Sequence, residues 1–280
     1  MPLFPDARAV VAIGWDCEMI GEYADTNPSG KTHGHLDDRT IQYAQDVAAM
    51  AEQAGFRMQY FLLGQSFEGS VDWAAELLSR GHALDQHTYS HFPLIGEEVE
   101  VARELTETSR LFEEKLGFRP VGLRGPGGYA HGLHDHPRAQ EMIREEGLEF
   151  VSCHYATKSP SGPYDVYADK NAYQIIKHHQ PRRYPNGLLE IPISGYTDRH
   201  FLDNLARPVE QFTKHLQDCL DFAYDMGGLV YAVALHPDTM SRHDPQLQAV
   251  TGLIEHAQRK LDEVRFMTYR EVAEAALAEQ

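Results

Sequence analysis

Short apolar runs alternate with longer amphipathic stretches along almost the whole chain. Residues 9–16 form an apolar run closed by polar residues, which is typical of a buried strand. Residues 38–55 follow with apolar positions along one helical stripe, and Asp38 is expected to cap this helix. The pattern continues with predicted strands over residues 57–63, 82–86, 121–124, 149–153, 188–193, 229–235 and 264–268, and with predicted helices over 70–80, 96–116, 137–146, 208–226 and 245–261 before a C-terminal helix.

Such regular alternation of strand and helix predicts an α/β fold, with a parallel sheet and helices packed outside it. About seven strand–helix units in 280 residues fit a closed or nearly closed α/β barrel. We find no linker-like change of composition, internal repeat or low-complexity tract, and therefore predict a single domain over residues 1–280. Chemistry in such folds is found at the carboxyl ends of the strands.

The longest predicted helix has a regular apolar stripe. Val99, Ala102, Leu105, Leu111 and Leu116 recur at helical spacing within residues 96–116 and are expected to point inward.

Composition narrows the range of partners. The chain has 25 Lys and Arg residues against 42 Asp and Glu residues, so its net charge is −17. This field repels nucleic acid and anionic membranes, and we predict neither as a partner. Three widely spaced cysteines (Cys17, Cys153 and Cys219) with no CxxC pair indicate a reducing compartment. Because the N-terminus has no basic region followed by an apolar one, a cytoplasmic protein is expected.

Chemically active side chains follow four of the predicted strands. Asp16 and Glu18 come after the first strand, and their i, i+2 spacing places both carboxylates on one side of an extended chain. A His-x-x-x-His pair follows the third strand, and in a helical turn the two side chains would share one face. The full set at the expected strand ends is Asp16, Glu18, His87, His91, Arg124 and His236.

Three members of this set suit a metal ion. Glu18, His87 and His91 form a two-histidine, one-carboxylate set that leaves coordination positions open for water. Zn²⁺ fits this set best, although iron or cobalt would also be accepted. The sequence therefore predicts one divalent metal, with zinc as the first candidate.

The remaining members suit the hydrolysis of an amide-type C–N bond. Asp16 is expected to be the base that takes a proton from water, and Arg124 to keep it ionised and oriented. His236 would protonate the leaving nitrogen. Gly127, in the segment after Arg124, could offer its backbone N–H to a tetrahedral oxyanion because no side chain blocks it.

These segments together resemble the polysaccharide deacetylase (NodB-like, carbohydrate esterase family 4) superfamily. The resemblance rests on Asp16-x-Glu18, His87-Thr-Tyr-Ser-His91, Arg124-Gly-Pro-Gly-Gly128 and Leu235-His236-Pro237, strengthened by Glu190-Ile-Pro192. It covers residues 10–275 approximately and implies a distorted (β/α) barrel. It also implies a catalytic Asp16, a metal held by Glu18 and the two histidines, and the same roles for Arg124, Gly127 and His236.

The sequence departs from the family pattern in ways that leave alternatives open. The usual adjacent Asp-Asp pair is Asp16-Cys17-Glu18 here, as in a cytoplasmic-looking subgroup related to peptidoglycan deacetylase homologues, allantoinases and cyclic imide hydrolases. Some members of that subgroup do not use a metal. The acid partner that His236 should have is not evident, with residues 150–154 and Asp238 as candidates.

Two long segments and the missing secretion signal bear on the substrate. Residues 21–38 and 155–186 are rich in turn-forming residues and could close over a small molecule. We therefore expect a small-molecule or oligosaccharide substrate, and the sequence is compatible with a homo-oligomer. A second hypothesis is a cyclic imide or ureide hydrolase that does not need metal, and a third is a non-catalytic carbohydrate-binding descendant.

A second group of histidines lies close to the Arg124 segment. His131, His134 and His136 could form a second metal cluster, contact substrate at the rim or lie in a solvated loop. The sequence favours the solvated loop.

Overall fold

A computed structural model describes residues 3–19, 34–155, 158–159, 162–163, 174–260 and 263–278. Most of the long loop predicted over residues 21–38, and much of the segment 155–186, lie outside the described residues.

Strands and helices alternate as the sequence predicts. The strands are β1 (Ala9–Cys17), β2 (Gln59–Leu62), β3 (Ala83–Gln86), β4 (Gly122–Tyr129), β5 (Phe150–His154), β6 (Lys158–Ser159), β7 (Gly162–Pro163), β8 (Arg182–Arg183), β9 (Leu189–Glu190), β10 (Leu229–Leu235) and β11 (Val264–Phe266). The helices are α1 (Asp38–Gln53), α2 (Asp72–Ser79), α3 (Glu98–Leu116), α4 (Pro137–Glu145), α5 (Gln174–His178), α6 (Val209–Met226), α7 (Pro237–His243), α8 (Gln248–Gln258) and α9 (Tyr269–Ala278). A 3₁₀ turn (Gly64–Glu68) follows β2, and a π-helical turn (Arg199–Asn204) precedes α6.

Among the described residues eight strands pair in parallel: seven follow the order β10-β1-β2-β3-β4-β5-β9 and β11 is the eighth, which fits the prediction of about seven. β8 adds an antiparallel edge to β9, and β11 pairs with the first residues of β1. The sheet curls into a half-barrel. Its two ends approach each other after β9, where the N–H of Ser194 donates to the carbonyl of Ala232 in β10 at 2.7 Å.

β1 is central because both of its faces are buried. Its odd-numbered side chains, among them Val11 and Trp15, pack in the core beneath the helices, whereas Val10 and Ala12 pack inside the curl of the sheet. All nine residues of the strand are buried, which explains the uninterrupted apolar run. Since side chains alternate along a strand, Asp16 continues the row that faces the interior of the curl.

Two details of the helices differ from the sequence prediction. The cap of α1 is Asp37 rather than Asp38, because the Asp37 carboxylate accepts the N–H of Thr40 at 2.8 Å. In α3 the predicted inward stripe is right for Leu105, Leu111 and Leu116 and wrong for Val99, which is 79% exposed, and for Ala102; the stripe also missed Glu104, which is buried. The sequence pattern also missed α7 and the π-helical turn. Among the described residues, no helix is both long and apolar enough to cross a bilayer.

Candidate active site

A cavity of about 150 Å³ opens at the carboxyl ends of the strands, and all seven residues singled out in the sequence line it. They come from the end of β1, the loop after β3, the β4 segment and the end of β10. These side chains are mostly buried. The seven are Asp16, Glu18, His87, His91, Arg124, Gly127 and His236.

Glu18, His87 and His91 meet around a common point. One carboxylate oxygen of Glu18, Oε2, lies 3.2 Å from Nε2 of His87 and 2.8 Å from Nε2 of His91. Their candidate ligand atoms all lie within 4.8 Å of one another, and Glu18 and His87 are 1% exposed. This arrangement has the ligand types and spacing of a site for one divalent ion.

The orientation of His87 gives an independent test of this fit. Nδ1 of His87 lies 2.7 Å from the carbonyl oxygen of Arg124, and a carbonyl only accepts hydrogen bonds, so Nδ1 carries the proton. In the neutral ring Nε2 is then a bare acceptor that faces Glu18. Both Nε2 of His87 and Oε2 of Glu18 are buried without a hydrogen-bond partner. A cation between these two atoms would satisfy both, and the carbonyl contact is typical of metal-binding histidines.

Electrostatics at this point favour a positive charge. Burial raises the pKa of Glu18, but the positive charges of His91 and Arg199 lower it more, and the pKa is well below the ordinary range. Burial lowers the pKa of His87, but the carboxylates of Glu18 and Asp16 outweigh it, and the pKa is raised. The site therefore stabilises a charged carboxylate beside a cationic neighbour.

The His87–His91 segment is a turn rather than the helical turn that the sequence suggested. Thr88 and His91 adopt left-handed backbone conformations with φ of 64° and 66°. Glu104 of α3 holds this turn, because its carboxylate accepts the N–H groups of Tyr89 and Ser90 at 2.8 and 2.7 Å and the Ser90 hydroxyl at 2.7 Å. This explains why a glutamate is buried in α3.

Asp16 lies beside Arg124 on the interior face of the sheet. Nε of Arg124 is 3.1 Å from Oδ1 of Asp16, and the Arg124 guanidinium lies over the rings of Phe61 and Tyr269. Nη1 donates to the Ser152 hydroxyl at 3.0 Å. The arginine is 1% exposed, so it holds the Asp16 carboxylate in one orientation at the base of the cavity.

His236 faces this pair from the end of β10. Its Nε2 lies 3.8 Å from Oδ2 of Asp16 and 3.7 Å from Oε1 of Glu18. Its Nδ1 donates to Oδ1 of Asp198 at 2.6 Å, and its backbone N–H donates to Oδ2 of the same residue at 2.8 Å. Asp198 is fully buried and thus fixes the ring with Nε2 toward the cavity.

Asp198 is the acid partner of His236, and neither of the two candidates from the sequence takes this role. Asp238 instead contacts Arg242 at 3.4 Å. In the β5 segment, His154 binds Arg182 at 2.6 Å, while Glu190 accepts the N–H groups of Cys153 and His154. Asp198 lies five residues beyond the predicted strand 188–193 and just before the helical turn that begins at Arg199, so no motif in the sequence singles it out.

Gly127 lies in an irregular part of β4, between the paired residues Arg124 and Tyr129. Its φ is 73°, which favours glycine, and no atom lies within 4 Å of the position that a Cβ would occupy. The backbone is therefore open toward the cavity, as an oxyanion donor requires.

Arg199 is a cavity residue that the sequence did not reveal. Its Nη1 forms an ion pair with Oε1 of Glu18, the carboxylate oxygen that faces away from the two histidines. The side chain is only 13% exposed.

Other candidate residues lie apart from this site. His131, His134 and His136 are exposed, and in the part of the chain that the structure describes the potential metal-binding group is Glu18, His87 and His91. Burial and the charges of Asp16 and Glu18 raise the pKa of Cys17 well above its ordinary value, which makes its thiol a poor nucleophile.

Comparisons with known proteins agree with this geometry. The family model for polysaccharide deacetylase matches residues 28–150. Over 110 residues the chain is 26% identical to a peptidoglycan-N-acetylglucosamine deacetylase of Bacillus cereus, covering 38% of this chain and 40% of that protein. The chain thus spans about two fifths of the length of this curated relative.

Solved structures share the fold over nearly the full length. A probable polysaccharide deacetylase from Pseudomonas aeruginosa PAO1 superposes with a TM-score of 0.74 at 18% identity, covering 100% of this chain and 95% of that one. The Puue allantoinase gives a TM-score of 0.74 at 17% identity, with coverage of 100% and 94%. The matched segment is similar in sequence to the polysaccharide deacetylase family model, and the whole chain shares the fold of these solved structures.

Proposed function

We propose that this protein hydrolyses an amide-type C–N bond as a deacetylase, with one divalent metal ion held by Glu18, His87 and His91. The observation that carries the proposal is the pair of buried acceptors, Oε2 of Glu18 and Nε2 of His87, that face each other at 3.2 Å. An imidazole nitrogen without a proton and a carboxylate oxygen that are buried this close together are destabilising unless a cation lies between them. When bound, the metal would polarise the substrate carbonyl and make water more acidic.

Different side chains around the metal position carry out the individual proton transfers. Asp16, held by Arg124 through Oδ1, accepts the proton of the attacking water through Oδ2, the oxygen that lies 3.8 Å from Nε2 of His236. The N–H of Gly127 stabilises the developing oxyanion. His236, fixed by Asp198, delivers a proton from Nε2 to the leaving nitrogen.

We infer a small-molecule or oligosaccharide substrate with an N-acyl group. The similarity to a peptidoglycan-N-acetylglucosamine deacetylase supports an N-acetylated sugar. Zinc is the metal that this ligand set favours.

A cyclic imide or ureide hydrolase is the second candidate. It is supported by the fold shared with an allantoinase, and by Arg199, which already places a positive charge on Glu18. In this alternative Asp16 and His236 keep their roles, while the metal is dispensable.

A substrate panel with and without chelator separates these candidates. Purified protein is assayed with N-acetyl sugars, cyclic imides and ureides, before and after removal of metal. A deacetylase should release acetate, contain about one metal ion per chain and lose both metal and activity in the His87→Ala variant. Full activity of the metal-free protein on an imide or ureide would select the second candidate. A protein that only binds its ligand would show no turnover of any substrate, so the Asp16→Asn variant would have no activity to lose.

A further inference from the structure

Arg199 connects three parts of the active site. Its Nη1 is paired with Oε1 of Glu18 at the end of β1. Its Nε lies 3.4 Å from the Thr239 hydroxyl, and its Nη2 lies 3.9 Å from Oδ2 of Asp238, both in the first turn of α7. The guanidinium is thus held between the metal-binding carboxylate and the helix that follows His236.

This position gives Glu18 two competing cationic partners. Oε2 faces His87 and His91, where a divalent ion would bind, and Oε1 is already neutralised by the guanidinium. Because Glu18 is 1% exposed, water screens the repulsion between the guanidinium and a metal ion only weakly. The arginine also occupies the second carboxylate oxygen, which leaves Glu18 one oxygen for a metal.

The charges that line the cavity also indicate that Arg199 competes with a metal ion for Glu18. The cavity is lined by two carboxylates, Asp16 and Glu18, and by two guanidiniums, Arg124 and Arg199. Arg124 is paired with Asp16, and Arg199 with Glu18. The acidic side chains of the cavity are therefore neutralised before any metal binds, whereas without Arg199 the charge of Glu18 would be left for the metal.

We propose that Arg199 is a built-in counter-cation of Glu18 that weakens the affinity of the site for a divalent metal. This inference deepens the proposed function and rests on the metal site at Glu18, His87 and His91. Arg199 acts through Glu18 and is a positioning residue that sets metal affinity.

The test is a titration of metal-free protein with Co²⁺ and Zn²⁺ in competition with a chromophoric chelator. Arg199→Met removes the charge, and Arg199→Gln removes it while keeping an N–H group near Glu18. Both variants should bind metal about tenfold more tightly than the natural protein, or more. Arg199→Lys retains a positive charge and should stay within about threefold of the natural affinity.

Arg242→Met is the matched control. Arg242 contacts Asp238 and Asp203 near the same helix but does not reach Glu18, so its removal should leave metal affinity unchanged. Thermal unfolding of each variant establishes that it is folded. Because there are two neutral variants of Arg199, the test can still be made if one of them does not fold.

The outcomes distinguish this inference from the proposed function. Binding that is detectable only after Arg199 is neutralised would support the inference. If the natural protein binds metal and both neutral variants bind it equally well or more weakly, the inference is overturned and the metal-dependent function stays intact. An absence of binding in every variant would overturn both.

Discussion

At the scale of single residues, His236 depends on one buried carboxylate. Asp198 accepts hydrogen bonds from both the ring and the backbone of His236, and it is fully buried. The ring orientation is therefore set by a side chain that does not touch the cavity itself, so Asp198 is a positioning residue.

Replacing this carboxylate tests the role of His236. Asp198→Asn should lower kcat by about a hundredfold, because a misoriented or wrongly protonated imidazole is a poor general acid. Bound metal, measured by elemental analysis, should stay near its natural level because Asp198 contacts none of the three metal ligands. Asp203→Asn is the control: Asp203 pairs with Arg242 and His243 near the same helix and should leave kcat unchanged. Equal losses in both variants would contradict a specific role for Asp198.

Gly14 illustrates how a residue without a side chain shapes the site. A Cβ at Gly14 would lie 2.5 Å from Nη2 of Arg124 and 2.9 Å from the Tyr269 ring. We expect Gly14→Ala to displace Arg124 and to destabilise the fold by about 1–3 kcal/mol, with a loss of activity. Gly69→Ala is the control, since no atom lies within 4 Å of its Cβ position. Chemical unfolding and kcat measure both effects, and a Gly14→Ala variant as stable and active as Gly69→Ala would refute the argument.

At the scale of elements, helix α3 holds the histidine turn through Glu104. Tyr89 and Ser90 donate to one oxygen of this carboxylate, and the Ser90 hydroxyl donates to the other. His87 and His91, the two proposed metal ligands, flank these residues in the chain. The geometry of the candidate metal site therefore depends on a helix that does not line the cavity.

Weakening this connection should weaken metal binding. Glu104→Gln keeps the size of the side chain but replaces one acceptor oxygen with a donor, so at least one of the three hydrogen bonds is lost. We expect Co²⁺ affinity to fall about tenfold in a competition titration. Glu107→Gln alters an exposed ion pair on the same helix and should have no effect. An unchanged affinity in Glu104→Gln would show that the turn does not need this carboxylate.

The elements also show what the sequence could predict. Apolar periodicity identified the central strands and the long helices, because burial dictates residue type directly at those positions. Asp16 and Glu18 both line the cavity, although β1 ends at Cys17 and Glu18 lies beyond it. In contrast, Glu104 interrupted the apolar stripe of α3, and Asp198 was hidden in a short irregular segment. Their burial is stabilised by hydrogen bonds to distant residues, which no local pattern records.

At the scale of the whole molecule, two buried histidines, His179 and His215, and the partly buried His154 make stability depend on pH. Burial lowers the pKa of His154 and of His215 to about 3, and that of His179 to about 4. In the unfolded chain these groups titrate near their ordinary value of about 6.5. Below that pH the unfolded state binds protons that the native state does not, so native stability falls as the pH drops from 6.5 toward 4.

The decline in the free energy of unfolding at acidic pH can be assigned to individual histidines. His215 alone should reduce the free energy of unfolding by about 2 kcal/mol between pH 7 and pH 5. His87, whose pKa is raised, acts in the opposite direction, and a bound metal would remove its contribution. Chemical unfolding of the His215→Gln variant should show a shallower decline over this range. A variant with the same pH dependence as the natural protein would contradict the assignment.

The adjacency of Asp198 and Arg199 has a consequence for how this protein can change over evolution. One peptide unit joins the side chain that orients His236, the proposed proton donor, to the side chain that contacts Glu18, the proposed metal ligand. An insertion, a deletion or a change of helical pitch at this point would disturb both at once. If the proposed roles hold, a change of the backbone here would alter proton donation and metal affinity together, whereas a side-chain substitution at residue 199 would alter metal affinity alone.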